Sequence, residues 1–204
     1  MRESSALRSM RGLLLCFLAE TEYDVGTSIL NGSYVSTVKE CLGYTFINHT
    51  AAVEHLGLAY SVGQNKTGRN YMIARMAAYK IGLIYEQGGF GVESSEIEAV
   101  RWLDLASKMG NCHAANTLGV FYEKKGSFQF LKYYELGTAV PCSDHRPFNE
   151  DKEAQRWGCA NAAANLAYHY QTAETMDNKK ATVYLDMMFE IGDYRWVRVV
   201  HTLN

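Results

Sequence analysis

The stretch Gly82–Asn111, "GLIYEQGGFGVESSEIEAVRWLDLASKMGN", holds two apolar helical patterns on either side of a glycine-rich elbow. Such an elbow either cradles a phosphate or turns the chain between two helices, and the choice separates an enzyme from a binding scaffold. A phosphate loop needs a strand before its glycines, whereas the residues before Gly88 read as helix. Gly88-Gly89-Phe90-Gly91 fits neither G-x-G-x-x-G nor the loop that ends in Lys-Ser/Thr. Ser95 followed by Glu98 predicts a capping box at the start of the second helix, and Gly110 stands where a left-handed residue commonly closes one. The elbow is therefore expected to be a turn between helices.

Both halves of the stretch recur. Shifting Ala77–Glu86 by 37 residues lays it on Ala114–Glu123, and a more worn copy runs over Ala162–Tyr170. These are the A helices. The second half, Ala99–Ala106 followed by Gly110-Asn111, matches Ala181–Met188 and Ala52–Ala59, and loosely Phe130–Gly137. These are the B helices. Trp102, Leu105, Ala106 and Met109 fall at i, i+3, i+4 and i+7, which predicts one buried face of a B helix. Ala78, Ile81, Gly82 and Tyr85 predict the same for an A helix. Small residues on these faces let neighbours approach closely, and a pair that is apolar on one side needs a further pair to cover it.

Composition agrees with helices. Two prolines beside 14 Tyr and 8 Met in 204 residues suit long helices better than a turn-rich sandwich. Twenty Lys plus Arg against 22 Asp plus Glu give −2, with no basic stripe to follow a phosphate backbone, so nucleic acid is not an expected partner. The longest apolar run, Leu13–Ala19, falls short of the ~20 residues that span a bilayer, so no transmembrane segment is expected. It follows Arg2, Arg8 and Arg11, but Phe17 spoils the small-x-small cleavage pattern of a signal peptide, which leaves a buried helix. Five irregularly spaced cysteines argue against a dense disulfide framework and leave the redox compartment open. Asn31, Asn48 and Asn65 each begin an N-x-S/T sequence, and in a secretory lumen they would accept glycans.

The pattern Ala-x-x-x-Ile-Gly-x-x-Tyr, a Gly-Val elbow, then Ala-x-x-Trp-Leu-x-x-Ala-x-x-x-Gly-Asn over Ala77–Asn111 resembles the Sel-1-like repeat proteins, which are relatives of the tetratricopeptide repeats and whose pattern has Leu-Gly at the first pair. The long elbow Gly88–Val92 favours the Sel-1 type. The resemblance covers residues 50–193, departs from the family at an insertion over 141–156, and implies a right-handed α-solenoid of helix pairs whose concave side is lined by A helices. Residues 1–49 are then expected to form divergent helices of a partial repeat, with a lone B-type helix over 5–19. Residues 194–204 are expected to begin a further, truncated repeat, as in a piece of a longer protein. "FLAETEYDV" over Phe17–Val25 is similar to a stretch in the luminal adaptors of the membrane ubiquitin ligase of endoplasmic-reticulum-associated degradation. That narrower resemblance implies a lumenal adaptor with the ligase as partner; a cytoplasmic or organellar assembly factor is the alternative.

Chemical sites are sparse. Cys142-Ser-Asp-His145 has the spacing of a zinc half-site that Cys159 or His169 could complete, but the second half-spacing is missing, so an incidental loop is the simpler reading. Cys112-His113 are adjacent and would point about 100° apart on a helix, which favours a packed thiol over a nucleophile. The acidic run Asn149–Glu153 reads as a solvated helix start. A hydrolase, which the family resemblance also admits, would need an activated nucleophile, and no residue pattern offers one. No cofactor is expected. In the third A helix Tyr170 aligns with the core residues Tyr85 and Tyr122, leaving Tyr168 and His169 as candidates for a surface that binds a protein or peptide. The expected function is a non-catalytic adaptor.

Overall fold

The computed structural model describes residue 18 and residues 20–30, 48–65, 68–139, 149–172 and 176–191. These residues form an all-α fold: a helix over 20–30 (α1), then α2 (His49–Gly63), α3 (Arg69–Gln87), α4 (Glu96–Lys108), α5 (Cys112–Lys124), α6 (Gln129–Ala139), α7 (Asn149–Thr172) and α8 (Asn178–Ile191). They fall into two compact units, Met1–Leu105 and Ala106–Asn204. Residues 1–17, 31–47, 140–148 and 192–204 lie outside the described residues, and with them the expected helix over 5–19, the start of the insertion, and the beginning of a further repeat.

The A helices are α3, α5 and α7, and their shared motif is buried position by position. Ala77, Ala78, Ile81 and Gly82 are buried in α3, Ala114, Ala115, Leu118 and Gly119 in α5, and Ala162, Ala163, Leu166 and Ala167 in α7. The B helices bury a stripe at i, i+4 and i+7: Ala52, Leu56 and Ala59 in α2, Ala99, Leu103 and Ala106 in α4, Phe130, Tyr134 and Gly137 in α6. In α8 the outer two members, Ala181 and Met188, are buried and Leu185 is half-buried. Of the expected face Trp102, Leu105, Ala106 and Met109, Ala106 belongs to this stripe and is fully buried. Trp102, Leu105 and Met109 are half-buried at its edge, because the position facing the A helix belongs to Leu103.

What faces Leu103 is Gly82. A methyl group on Gly82 would come within 2.8 Å of the Leu103 Cγ, and one on Gly119 within 2.3 Å of the Tyr134 Cε1, so both glycines are there to let two helices touch. Gly26 stands in the same relation to Leu56, 2.9 Å from its Cγ. Helix α1 thus packs on α2 as an A helix packs on its B helix, a pairing the sequence repeats do not reveal.

One device joins each A helix to the next B helix. The backbone carbonyl of Tyr85, Tyr122 or Tyr170 accepts a hydrogen bond from the N–H of Ser95, Ser127 or Asp177, at 2.8, 3.0 and 3.0 Å. Each acceptor belongs to the repeated tyrosine of an A helix, and each donor caps the B helix that follows. The side chain of Ser95 accepts from the Glu98 N–H at 3.4 Å, that of Ser127 from Gln129 at 3.5 Å and that of Asp177 from Lys180 at 3.1 Å. The predicted capping box is half made: Ser95 caps, while the Glu98 carboxylate bonds Arg101. Gly110, with φ 86°, closes α4 as expected, its neighbour Asn111 donating back to the Ala106 carbonyl at 2.9 Å. The long elbow is a tight turn in which Gly89 and Val92 exchange backbone hydrogen bonds at 2.8 and 3.0 Å. It rests on the start of α2, where Thr50 donates to the Gly91 carbonyl at 2.9 Å and the His49 Nδ1 accepts from the Phe90 N–H at 3.1 Å.

Within the first unit α2 also packs on α3, and within the second α7 packs on both α5 and α6. Each pair is thereby covered on its apolar side by a neighbour, as a repeat architecture requires.

Candidate protein-interaction face

With four positions of each A-helix motif committed to the core, the polar residues between them and the position that follows are the ones less enclosed. In the second unit these are Asn116 and Thr117 on α5 and Asn165 and Tyr168 on α7, while Val120 and Ala164 pack against the core. Helices α5 and α7 lie side by side, and the Asn165 amide nitrogen donates to the Asn116 amide oxygen at 3.0 Å. That bond uses one oxygen and one N–H. The amide N–H groups of Asn116 and the oxygen of Asn165 take no part in it, a donor side and an acceptor side held on two helices. An extended peptide backbone carries the same two groups in alternation. Thr117 turns its hydroxyl back onto the His113 carbonyl at 2.9 Å, so it contributes shape and not a polar contact.

Tyr168, one turn on from Asn165, is 52% exposed. His169 is not placed the same way. Its ring lies edge-on to Phe130 with centroids 4.9 Å apart and to Tyr170 at 5.4 Å, packed between α6 and its own helix. Tyr170 lies parallel to Tyr184 at 5.8 Å, and Tyr122 lies parallel to Tyr133 at 5.3 Å, so the repeated tyrosine stacks on the B-helix aromatic in both pairs. The Asn116–Asn165 pair was not singled out in the sequence, since the two residues stand at different positions of the motif.

Beneath this face Tyr134 is fully buried and donates its hydroxyl to the Glu123 carboxylate at 2.7 Å. Burial, and then the bond and charge of Glu123, hold its pKa well above that of an ordinary phenol. Burial, Glu135 and Tyr170 raise that of Tyr184 as well.

Asn48 is exposed at the start of α2, where its amide oxygen caps the helix by accepting from the Ala51 N–H at 3.1 Å. A glycan is carried on the amide nitrogen, which the cap does not use. Asn65 is exposed in the turn after α2, and Asn31 lies outside the described residues. Cys142 and His145 lie outside them too, while Cys159 sits against Cys112 and His169 against Phe130. Among the described residues no three His, Cys, Asp or Glu side chains gather in the manner of a metal site. No described helix is long and apolar enough to cross a membrane.

No family model and no curated protein matches the chain. Among solved structures it is similar to a Sel1 repeat protein from Oxalobacter formigenes, with 18% identity and a TM-score of 0.31 over 84% of this chain and 87% of that one. It is also similar to c5321, a protective antigen of uropathogenic Escherichia coli strains displaying an SLR fold, with 16% identity and a TM-score of 0.30; the match covers 84% of this chain and 46% of that one. The repeats inside the chain itself carry the family reading.

Proposed function

We propose that the chain is a non-catalytic scaffold of Sel-1-like repeats that binds an extended segment of a protein partner across α5 and α7. The observation that carries this is the joined amide pair Asn116–Asn165 beside exposed Tyr168, on helices whose remaining motif positions are fixed in the core. A tyrosine next to paired amides supplies what peptide recognition needs: a rigid amphipathic ring for a side chain and a donor and acceptor for the backbone. Panning a library of displayed linear peptides on the intact protein tests it. The expected result is an enriched sequence family whose Kd rises about tenfold or more with Asn165→Ala/Tyr168→Ala, since anchors of this kind carry at least ~1.4 kcal/mol. Selected peptides that bind the double variant as well as the parent would refute the reading.

The narrower proposal is an adaptor in the lumen of the endoplasmic reticulum, with a membrane ubiquitin ligase as partner. Exposed Asn48 and Asn65 support it, being placed where a glycosyltransferase reaches them. A mass decrease on N-glycan cleavage of the protein from its native source is the expected outcome. Its absence would favour the cytoplasmic alternative.

A further inference from the structure

We infer that Cys112 and Cys159 form a disulfide when the chain folds in an oxidising medium, stapling the A helices of two successive repeats. Both residues are fully buried, and their sulfurs lie 2.6 Å apart across 47 residues of sequence. Only about 0.6 Å of further approach brings them to the ~2.05 Å of a disulfide bond. The junction is built for this contact. A methyl group on Gly158 would come within 2.8 Å of the His113 nitrogen and 3.1 Å of the Cys112 Cβ, so the glycine is what lets α7 reach the first turn of α5. On the other side Gly137 leaves room that a methyl group would close, 2.9 Å from the Ala162 Cβ and 3.5 Å from the Ala115 Cβ. Cys112 stands two residues and Cys159 three residues ahead of the Ala-Ala pair of its A-helix motif.

The reaction is thiol–disulfide exchange with a small-molecule or protein disulfide. One thiolate attacks that disulfide, forming a mixed disulfide and releasing one thiol. The second thiolate then attacks the mixed disulfide at the protein sulfur and expels the other thiol. The two protein sulfurs are oxidised, the external disulfide is reduced to two thiols, and the two protein protons end on them. Because both sulfurs are buried in the native state, exchange occurs during folding, and the finished bond is shielded from reductants. One helical turn beyond Cys112 stands Asn116, so the staple would also fix the spacing of the helices that carry Asn116 and Asn165.

The test uses the full chain with Cys16→Ser, Cys41→Ser and Cys142→Ser, refolded with a mixture of oxidised and reduced glutathione, then unfolded and treated with a maleimide. The expected result is no label, an intact mass two hydrogens lower than that of the reduced protein, and a Tm roughly 5–15 °C above it. Addition of Cys112→Ser should abolish the redox dependence of the Tm. Two labels per chain after oxidative refolding would overturn the inference. Should the triple variant fail to fold, proteolytic mapping of the refolded wild-type chain decides: a peptide linking Cys112 to Cys159 supports the staple, and any other pairing, or none, refutes it.

Discussion

Replacing Gly119 by Ala should destabilise the protein, although alanine is the better helix former. The added methyl carbon would lie 2.3 Å from the Tyr134 Cε1 and 2.4 Å from its Cδ1. Carbon atoms rest about 3.5–4.0 Å apart, so ring or helix must give by more than an ångström. Tyr134 has nowhere to go. It is fully buried, its hydroxyl is bound to Glu123 at 2.7 Å, and its ring lies against Phe130 with centroids 6.0 Å apart. Overpacking of this kind costs ~1–3 kcal/mol, and the propensity of alanine returns about 1 kcal/mol. With the contact near the severe end, the net loss is about 1–2 kcal/mol, or a Tm lower by roughly 2–8 °C for a chain of this size. Gly57→Ala is the internal control. It sits inside α2 with nothing within 4 Å of the added carbon, so the propensity gain of ~0.5–1 kcal/mol stands alone and the protein should become more stable. Urea denaturation followed by circular dichroism measures both. A second arm pairs Gly119→Ala with Tyr134→Leu: if the ring is the obstacle, the two changes couple by about 1 kcal/mol or more. A Gly119→Ala protein as stable as the parent, or changes that simply add, would refute the claim that this glycine exists for helix contact.

Other consequences follow from the same contacts. Tyr134 has a folded-state pKa raised above the unfolded value of 10.0, so the stability it confers is intact below that pH and is lost as pH climbs toward the folded value. Stability should therefore fall by about 1.4 kcal/mol per pH unit above pH ~10 through this group, and Tyr134→Phe should flatten the slope in denaturation measured across that range. Asp177→Ala removes a cap made at 3.1 Å and should cost ~1 kcal/mol, whereas Ser127→Ala, whose contact is 3.5 Å long, should cost less in the same denaturation assay; equal losses would count against the distances. Gly89→Ala would press a methyl group to 2.4 Å from the His49 Cγ, so it should destabilise the elbow in the parent and far less in His49→Ala, with amide hydrogen exchange at Val92, whose N–H donates to the Gly89 carbonyl, as the readout.

The A-helix motif is legible in sequence because its physical demand is severe. Where two helices touch, small residues are needed, and the three copies keep Ala-Ala, then Ile81-Gly82, Leu118-Gly119 or Leu166-Ala167, at the buried positions. Helix α1 escapes the same reading because close approach to Leu56 needs just one small residue, Gly26, and the surrounding Glu22, Tyr23 and Asp24 carry no trace of the motif. The B-helix face is legible at Ala106 but misread at Trp102, to which size alone points. A large ring is better accommodated at the margin, where Trp102 meets Tyr60 edge-on at 5.2 Å, while the position opposite Gly82 takes the slimmer Leu103. The candidate face divides along the same line. Tyr168 is legible, since helical periodicity places it away from the core. The packing of half-buried His169 against Phe130 is not, because that ring comes from a helix nearly 40 residues earlier in the chain.

The link from tyrosine carbonyl to cap explains how one architecture tolerates elbows of such different length. Between Tyr85 and Ser95 the chain makes the glycine turn of Gly88–Gly91; between Tyr122 and Ser127 it makes only a tight bend through Gly126. Each time the same two backbone atoms meet at 2.8–3.0 Å. The geometry of the α3–α4 and α5–α6 pairs is thus set by its ends, with the A-helix glycine against the B-helix stripe and the carbonyl against the cap; of the residues between, Val92 packs on the core and most others are exposed. That freedom is visible in what the elbows and helix starts expose: Phe90, Ile97, Phe128 and Met176 are each at least 65% accessible. Asn116, Asn165 and Tyr168 are free of the core for the complementary reason, lying on the A helices at positions that neither the glycine contact nor the cap requires. A repeat that fixes its core with four small or slender residues and one carbonyl leaves the rest of each module open to diversify toward a partner.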